Sequence, residues 1–318
     1  MDSFIYSLNA TVPVFAIMIV GYFLRRIGLL SEEFVSVANK FVFNVCLPCM
    51  LFLDVCSTDI LHNFDGFYIG FCAAATFISI VVLWGLARLL LKDRTEVGAF
   101  VQSSYRSSAA ILGIAFIENI YGNSGMGPLM IIGSVPLYNI FAVTILTLES
   151  NDTTIRQQKG RIGKTLINIA KNPIIIGILV GLVFSMLPFK LPQIIEKSIT
   201  SLSDMAAPLA LIAIGAGFEG KKALAKIKPS VAATVIKLMG LAAIFLPIAI
   251  LLGFRDQKLL ALIIMLASPT TPASYVMAKS MHGDEVLSSS VIVLTTIFSS
   301  ITLTFWIFIM RYLGYIAD

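Results

Sequence analysis

Arg106 stands at the centre of the most polar stretch inside an apolar run: Gln102-Ser103-Ser104-Tyr105-Arg106-Ser107-Ser108-Ala109-Ala110-Ile111-Leu112-Gly113. A guanidinium among hydroxyls can hold a carboxylate with two parallel hydrogen bonds. A second stretch, Ala267-Ser268-Pro269-Thr270-Thr271-Pro272-Ala273-Ser274-Tyr275, puts two prolines three residues apart beside hydroxyl side chains. Each proline removes a backbone donor and clashes with the preceding turn, so a regular helix cannot run through both. Ser and Thr can satisfy the backbone groups that such a break frees. Arg106, Ser107, Ser108, Pro269, Thr270, Thr271 and Ser274 are therefore the candidate binding residues. The competing readings are a pair of kinked packing helices rich in small residues, and an Arg106 paired with Glu118 or Asp204 or snorkelling to the cytoplasmic interface. Asn44 and Asp204, each one turn before a proline (Pro48 and Pro208), are candidates for the interface or for coupling, together with Glu118 and with Lys237 deep in an apolar segment.

These residues sit in a chain of 318 residues, 58% hydrophobic and 13% charged. A soluble domain carries about 25% charged residues, so the balance is that of a membrane protein. The apolar residues form ten blocks of the length that crosses a bilayer: 4–24, 34–54, 66–91, 96–120, 126–148, 172–189, 193–217, 229–253, 257–280 and 286–313. Backbone groups in lipid must bond internally, which makes these blocks helices. The two polar stretches fall in blocks 4 and 9.

Loop charge gives an orientation. Arg25, Arg26, Lys40, Arg88, Lys92, Arg94, the cluster Arg156 to Lys171, Lys221, Lys222, Lys226, Lys228 and Lys279 fall in one set of loops, and Lys190, Lys197, Arg255, Lys258 and Arg311 in the other. The richer set is assigned to the cytoplasm. Both termini are then extracellular in a multi-pass plasma-membrane protein whose first helix is retained, since Met1-Asp2-Ser3 lacks a basic n-region. The net charge of +5 is a topology signal; no basic run interleaved with aromatics speaks for nucleic acid.

Residues 150–171 form a polar cytoplasmic linker between 1–149 and 172–318. Five helices on each side insert the halves in opposite senses. Pro13 and Gly21 answer to Pro173 and Gly181, and Asn44 and Pro48 to Asp204 and Pro208, all 160 residues apart. Gly122-Asn123 answers to Gly283-Asp284 one residue later in register. The fold class expected is an all-α membrane protein of ten transmembrane helices in two inverted five-helix repeats, with broken crossover helices 4 and 9. In secondary transporters of this architecture the site lies at mid-membrane between broken helices, whose positive ends face an anionic group.

Other signals carry less. Cys46-Leu47-Pro48-Cys49 is read as two small apolar residues in a helix, because no second Cys/His pair accompanies it. His62 and His282 lie in expected loops. Gly215-Ala216-Gly217-Phe218-Glu219-Gly220 matches G-x-G-x-x-G but follows a membrane helix instead of a strand. No Walker A, H-E-x-x-H or G-x-S-x-G string occurs, so neither an enzyme, a metal site nor a cofactor is called.

Phe43-Asn44-Val45-Cys46-Leu47-Pro48-Cys49-Met50-Leu51-Phe52, Asn172-Pro173-Ile174-Ile175-Ile176-Gly177, Ala207-Pro208-Leu209-Ala210-Leu211 and the run Ala267 to Lys279, in this order and spacing, resemble the auxin efflux carrier family in its bacterial branch. The resemblance implies scaffold helices 1, 2, 6 and 7, a moving unit of helices 3–5 and 8–10, and carriage of organic anions such as malate-type or auxin-like acids by an elevator or rocking movement. The family's Arg-Gly-Asn and Gly-hydrophobic-Pro in helix 4 read here as Arg106-Ser107-Ser108 and Gly113-Ile114-Ala115, and its Asn or Pro in helix 9 falls on Ser274. That favours a smaller or more polar ligand. The partners expected are a small organic anion, a proton or a sodium ion, the lipid bilayer and, in some assemblies, a second copy as a homodimer. A sodium–bile-acid-type symporter, a ligand sensor that moves nothing and a polar-lined channel are the alternatives, separated by sodium dependence, by flux and by saturation.

Overall fold

The computed structural model describes residues 2–56, 65–109, 114–121, 125–149, 167, 169–185 and 191–317. Among the described residues every regular element is a helix. Six are long and apolar enough to cross a membrane by length and composition: Glu32–Cys56, Gly66–Leu90, Gly127–Glu149, Gln193–Ala216, Ile227–Leu251 and Glu285–Tyr312. Residues 150–166, most of the expected linker, and His62 lie outside the described residues, as do Gly122, Asn123 and Gly113.

In chain order the helices are α1 (Asp2–Arg26), α2 (Glu32–Phe41), α3 (Leu47–Cys56), α4 (Gly66–Leu90), α5 (Arg94–Tyr105), α6 (Ile114–Tyr121), α7 (Gly127–Glu149), α8 (Pro173–Ser185), α9 (Gln193–Asp204), α10 (Ala206–Ala216), α11 (Gly220–Ala225), α12 (Ile227–Val235), α13 (Leu241–Leu251), α14 (Asp256–Ala267), α15 (Ala273–Ser280) and α16 (Glu285–Tyr312). A π-helical turn, Val42–Cys46, joins α2 to α3, and a second, Ile236–Gly240, joins α12 to α13. Each widens a continuous helix by one residue, a device frequent at functional sites. The first sits just before Pro48, which has no N–H to offer the regular ladder.

Exposure on the helices follows what lipid requires. In α4, Phe77, Ile78, Val81, Val82 and Leu86 are exposed, while Ala75, Thr76, Ser79, Ile80 and Leu83 are buried. Thr76 and Ser79 point inward with Ile80 and Leu83, and a face of large apolar residues points outward, the reverse of a water-soluble surface.

Two close helix pairs fix the frame. A Cβ added at Gly215 of α10 would collide with the Met18 carbonyl of α1, and one at Gly21 of α1 with the Ile212 carbonyl of α10. On the other side, a Cβ at Gly177 of α8 would lie 2.6 Å from the Pro48 carbonyl of α3. In both pairs the missing side chains let backbones touch.

Charged clasps tie the helix ends. Lys226, between α11 and α12, bonds Glu96 of α5 at 2.5 Å and Asp284, the N-cap of α16, at 2.9 Å. At another junction Lys258 of α14 bonds Asp65, the N-cap of α4, at 2.5 Å. Lys258 holds the Asp65 carboxyl below its usual range through that hydrogen bond, helped by the Tyr68 N–H. Burial alone would lower Lys226; its hydrogen bonds to Glu96 and Asp284 outweigh that and raise it above the ordinary lysine value.

Candidate functional site

Helix α5 stops at Tyr105, where Arg106 turns to extended backbone with ψ 131°. The serines that follow compete for backbone groups and weaken a helix. Helix α14 stops at Ala267, and Ser268 is extended with ψ 161°, as the residue before a proline must be. Pro272 then starts α15, where its missing N–H costs nothing. Both breaks expected from the sequence are present.

The two breaks meet. The Ser108 N–H donates to the Pro269 carbonyl at 3.0 Å. Gln102 Nε2 donates to the Ser274 carbonyl at 2.8 Å, and Thr270 Oγ1 to the Ser103 carbonyl at 2.7 Å. The Thr270 N–H is taken by Thr295 Oγ1 of α16 at 3.1 Å. Backbone groups left free by the broken helices are satisfied across the crossing, the condition for irregular backbone at membrane depth.

Arg106 is 3% exposed. One guanidinium nitrogen donates to the Met277 sulfur of α15 at 2.8 Å, the other to Asn139 Oδ1 of α7 at 2.6 Å. Asn139 is aimed by its own bond to the Val135 carbonyl at 2.9 Å. Both partners are neutral, and among the described residues no carboxylate pairs with this charge. Glu118 and Asp204, the sequence-level candidates for that pairing, lie on exposed positions, as does Asn44, whose amide donates to the Lys40 carbonyl at 2.7 Å. The structure does not gather these three with Arg106.

It does gather Ser107, Ser108, Pro269, Thr270 and Ser274. Ser107 Oγ donates to the Tyr138 hydroxyl at 3.4 Å, and Tyr138 stacks obliquely on Tyr105 with ring centroids 5.6 Å apart. Among the described residues Ser103 Oγ, Ser268 Oγ, Ser274 Oγ and Gln102 Oε1 are buried without a protein partner. Unsatisfied polar atoms of this kind are rare in folded proteins and call for an explanation. Thr271 is half-buried and lines a cleft of about 10 Å³ between Leu47, Met50, Ala207 and Ala210 on one side and Pro272 on the other, room for about one water.

Lys237 is the residue whose place the sequence undersold. It belongs to the π turn Ile236–Gly240, is 0% exposed, and donates to the Met265 and Leu266 carbonyls at 3.2 and 2.9 Å. These are carbonyls of the broken C-terminus of α14. Its depth in block 8 was legible; its reach to block 9 had no local signal. Asn139 and Met277, the partners of Arg106, also carried no signal, since each is one residue in an apolar helix.

A larger cavity of about 1370 Å³ opens beside this region, lined by Arg25, Arg26, Lys221, Lys222 and Lys279 and also by Glu32, Glu33, Glu219 and Glu285. The basic ends assigned to one membrane face thus share one cavity. Helix α15 links it to the crossing, with Lys279 in the cavity wall and Met277 on Arg106.

Two interrupted helices that cross at buried basic side chains are a feature of secondary transporters. Comparison with known proteins agrees. Residues 6–307 match the family described as "Membrane transport protein", and the chain belongs to it; this is the auxin efflux carrier family. The chain is similar to an uncharacterized transporter of Methanocaldococcus jannaschii, 24% identical over 307 residues that cover 94% of this chain and 97% of the relative. It is likewise similar to a putative malonate transporter of Rhizobium meliloti, 23% identical over 316 residues, 94% of each chain. An uncharacterized transporter of Escherichia coli is 21% identical over 320 residues, 96% of this chain and 98% of that one.

Proposed function

We propose that this transporter carries small organic anions, with a dicarboxylate of malonate size as the first substrate to test, and that the crossing of the two helix breaks is its binding site. The observation that carries the reading is Arg106, a fully enclosed guanidinium whose hydrogen bonds go to a thioether and an amide. A buried charge without a counter-charge costs several kcal/mol, and an anionic substrate supplies what is missing. The partnerless hydroxyls of Ser103, Ser268 and Ser274 add donors for carboxylate oxygens. The similarity to a putative malonate transporter points to the same class of ligand.

The carrier is read as two inverted five-helix repeats, 1–149 and 172–318 joined by a cytoplasmic linker, with helices 3–5 and 8–10 moving against scaffold helices 1, 2, 6 and 7 in the plasma membrane, both termini outside. Pseudo-symmetric contacts support the repeat. In the clasps Lys226–Glu96 and Asp65–Lys258, Asp65 answers to Lys226 and Glu96 to Lys258, 161 and 162 residues on, with the charges exchanged. The close contacts at Gly21 and Gly181, 160 apart, are each made against a backbone carbonyl of another helix. Both clasps lie within the expected moving unit and would hold it rigid. Solute counterflow in proteoliposomes tests the reading, with malonate, malate, acetate, an indole acid and a neutral amide as the panel. Counterflow by the carboxylates alone is expected; counterflow by the amide, or by nothing while a ligand still binds, would replace the anion carrier by a different substrate class or by a sensor.

A further inference from the structure

Broken helices in membrane carriers end in carbonyls that no intrahelical donor reaches, and where a carrier is ion-coupled these carbonyls are ligands for the coupling cation. In this chain such an end already holds a lysine nitrogen. The Lys237 ammonium lies on the Met265 and Leu266 carbonyls of α14, at 3.2 and 2.9 Å. The Tyr138 hydroxyl also donates to the Met265 carbonyl, at 3.4 Å. The position is made by the π turn Ile236–Gly240, which turns one extra residue toward α14. It is held from behind by Trp306 of α16, whose indole N–H donates to the Leu238 carbonyl at 3.0 Å. Among the described residues Lys237 forms no ion pair; it faces the negative end of the α14 dipole instead of a carboxylate.

We infer that Lys237 is a tethered cation standing where a coupling sodium ion would bind, so that this carrier works without sodium. The inference rests on the carrier reading above, and deepens it by assigning the coupling. It also accounts for the donor set: the amine delivered by the chain occupies the Met265 and Leu266 carbonyls that a coupling ion would otherwise use. Lys237 thereby positions the α14 end for the crossing.

The test is thermal unfolding of the purified protein in sodium chloride against choline chloride at equal ionic strength, with counterflow of malonate in the same two salts. For the natural protein the two melting temperatures should coincide. Lys237→Ala should melt lower and regain part of the loss in sodium chloride but not in choline chloride, because the vacated carbonyls accept sodium. A merely structural lysine would give the lower melting temperature without the sodium response. If Lys237→Ala is not recovered folded, Lys237→Ser, which removes the amine and adds a hydroxyl oxygen at the position, replaces it. A sodium-specific rise of about 3 °C or more in the natural protein, or a folded variant indifferent to sodium, would overturn the inference. If malonate moves in neither salt, the carrier reading is in question, while the unfolding experiment still decides the place of Lys237.

Discussion

Replacing Lys226 by Met should unlatch the junction where α5, α12 and α16 begin. The ammonium is shared between Glu96 at 2.5 Å and Asp284 at 2.9 Å, with Asp93 at 4.0 Å. Its side chain is 27% exposed, and those of Glu96 and Asp284 are 15% and 9% exposed. Fully exposed pairs contribute about 0–1 kcal/mol, and removing one partner of a fully buried pair costs about 3–5 kcal/mol. The half-buried clasp falls between, at about 2 kcal/mol. Much of that is repulsion among carboxylates left facing one another, so Glu96→Gln in the Lys226→Met background should restore about half. At about 2–4 °C per kcal/mol for a chain of this order of size, the single variant should melt about 4–8 °C lower in detergent. Unchanged melting, or a double variant less stable than the single one, would refute the view that the clasp holds these helix ends together.

Gly215→Ala forces a methyl group into the Met18 carbonyl and should abolish recovery of monodisperse protein, whereas Gly70→Ala, on an open side of α4, should leave it unchanged. Asn139→Ala strips one partner from the buried Arg106 guanidinium and should cost about 2 kcal/mol of stability, read by denaturation. Stability against pH follows the two clasps. The depressed Asp65 carboxyl contributes above its unfolded value near about 4 and loses that contribution as pH falls through the folded value. The raised Lys226 contributes below about 10.4 and loses it as pH rises further. Their share of the melting temperature should thus be level from about pH 5 to 9 and fall on either side, and Asp65→Asn should remove its part of the acid limb.

The helical blocks were legible because lipid leaves the chain few choices. A run of about twenty apolar residues with polar ends is a helix whatever surrounds it. The breaks at Arg106–Ser108 and Ser268–Pro272 were legible for a related reason, since proline and clustered serine act on their own backbone. What the residues touch was harder to read. Of the readings open for Arg106, pairing with Glu118 or Asp204 is not seen; it meets Asn139 and Met277, which sit on α7 and α15 and depend on tertiary packing. Lys237 looked like a packing or interface lysine. Its reach to α14 depends on a π turn, one residue of extra winding that no pattern of hydrophobicity records.

The account turns on Arg106 as the group that holds the anion. Its most direct test is equilibrium binding of malonate to the purified protein and to Arg106→Gln, which keeps a hydrogen-bonding side chain and removes the charge. Hydrogen bonds to a charged group contribute about 1.5–3 kcal/mol, so the account predicts binding weaker by about 10- to 150-fold in a variant that remains folded. Equal affinity in the two proteins would contradict it.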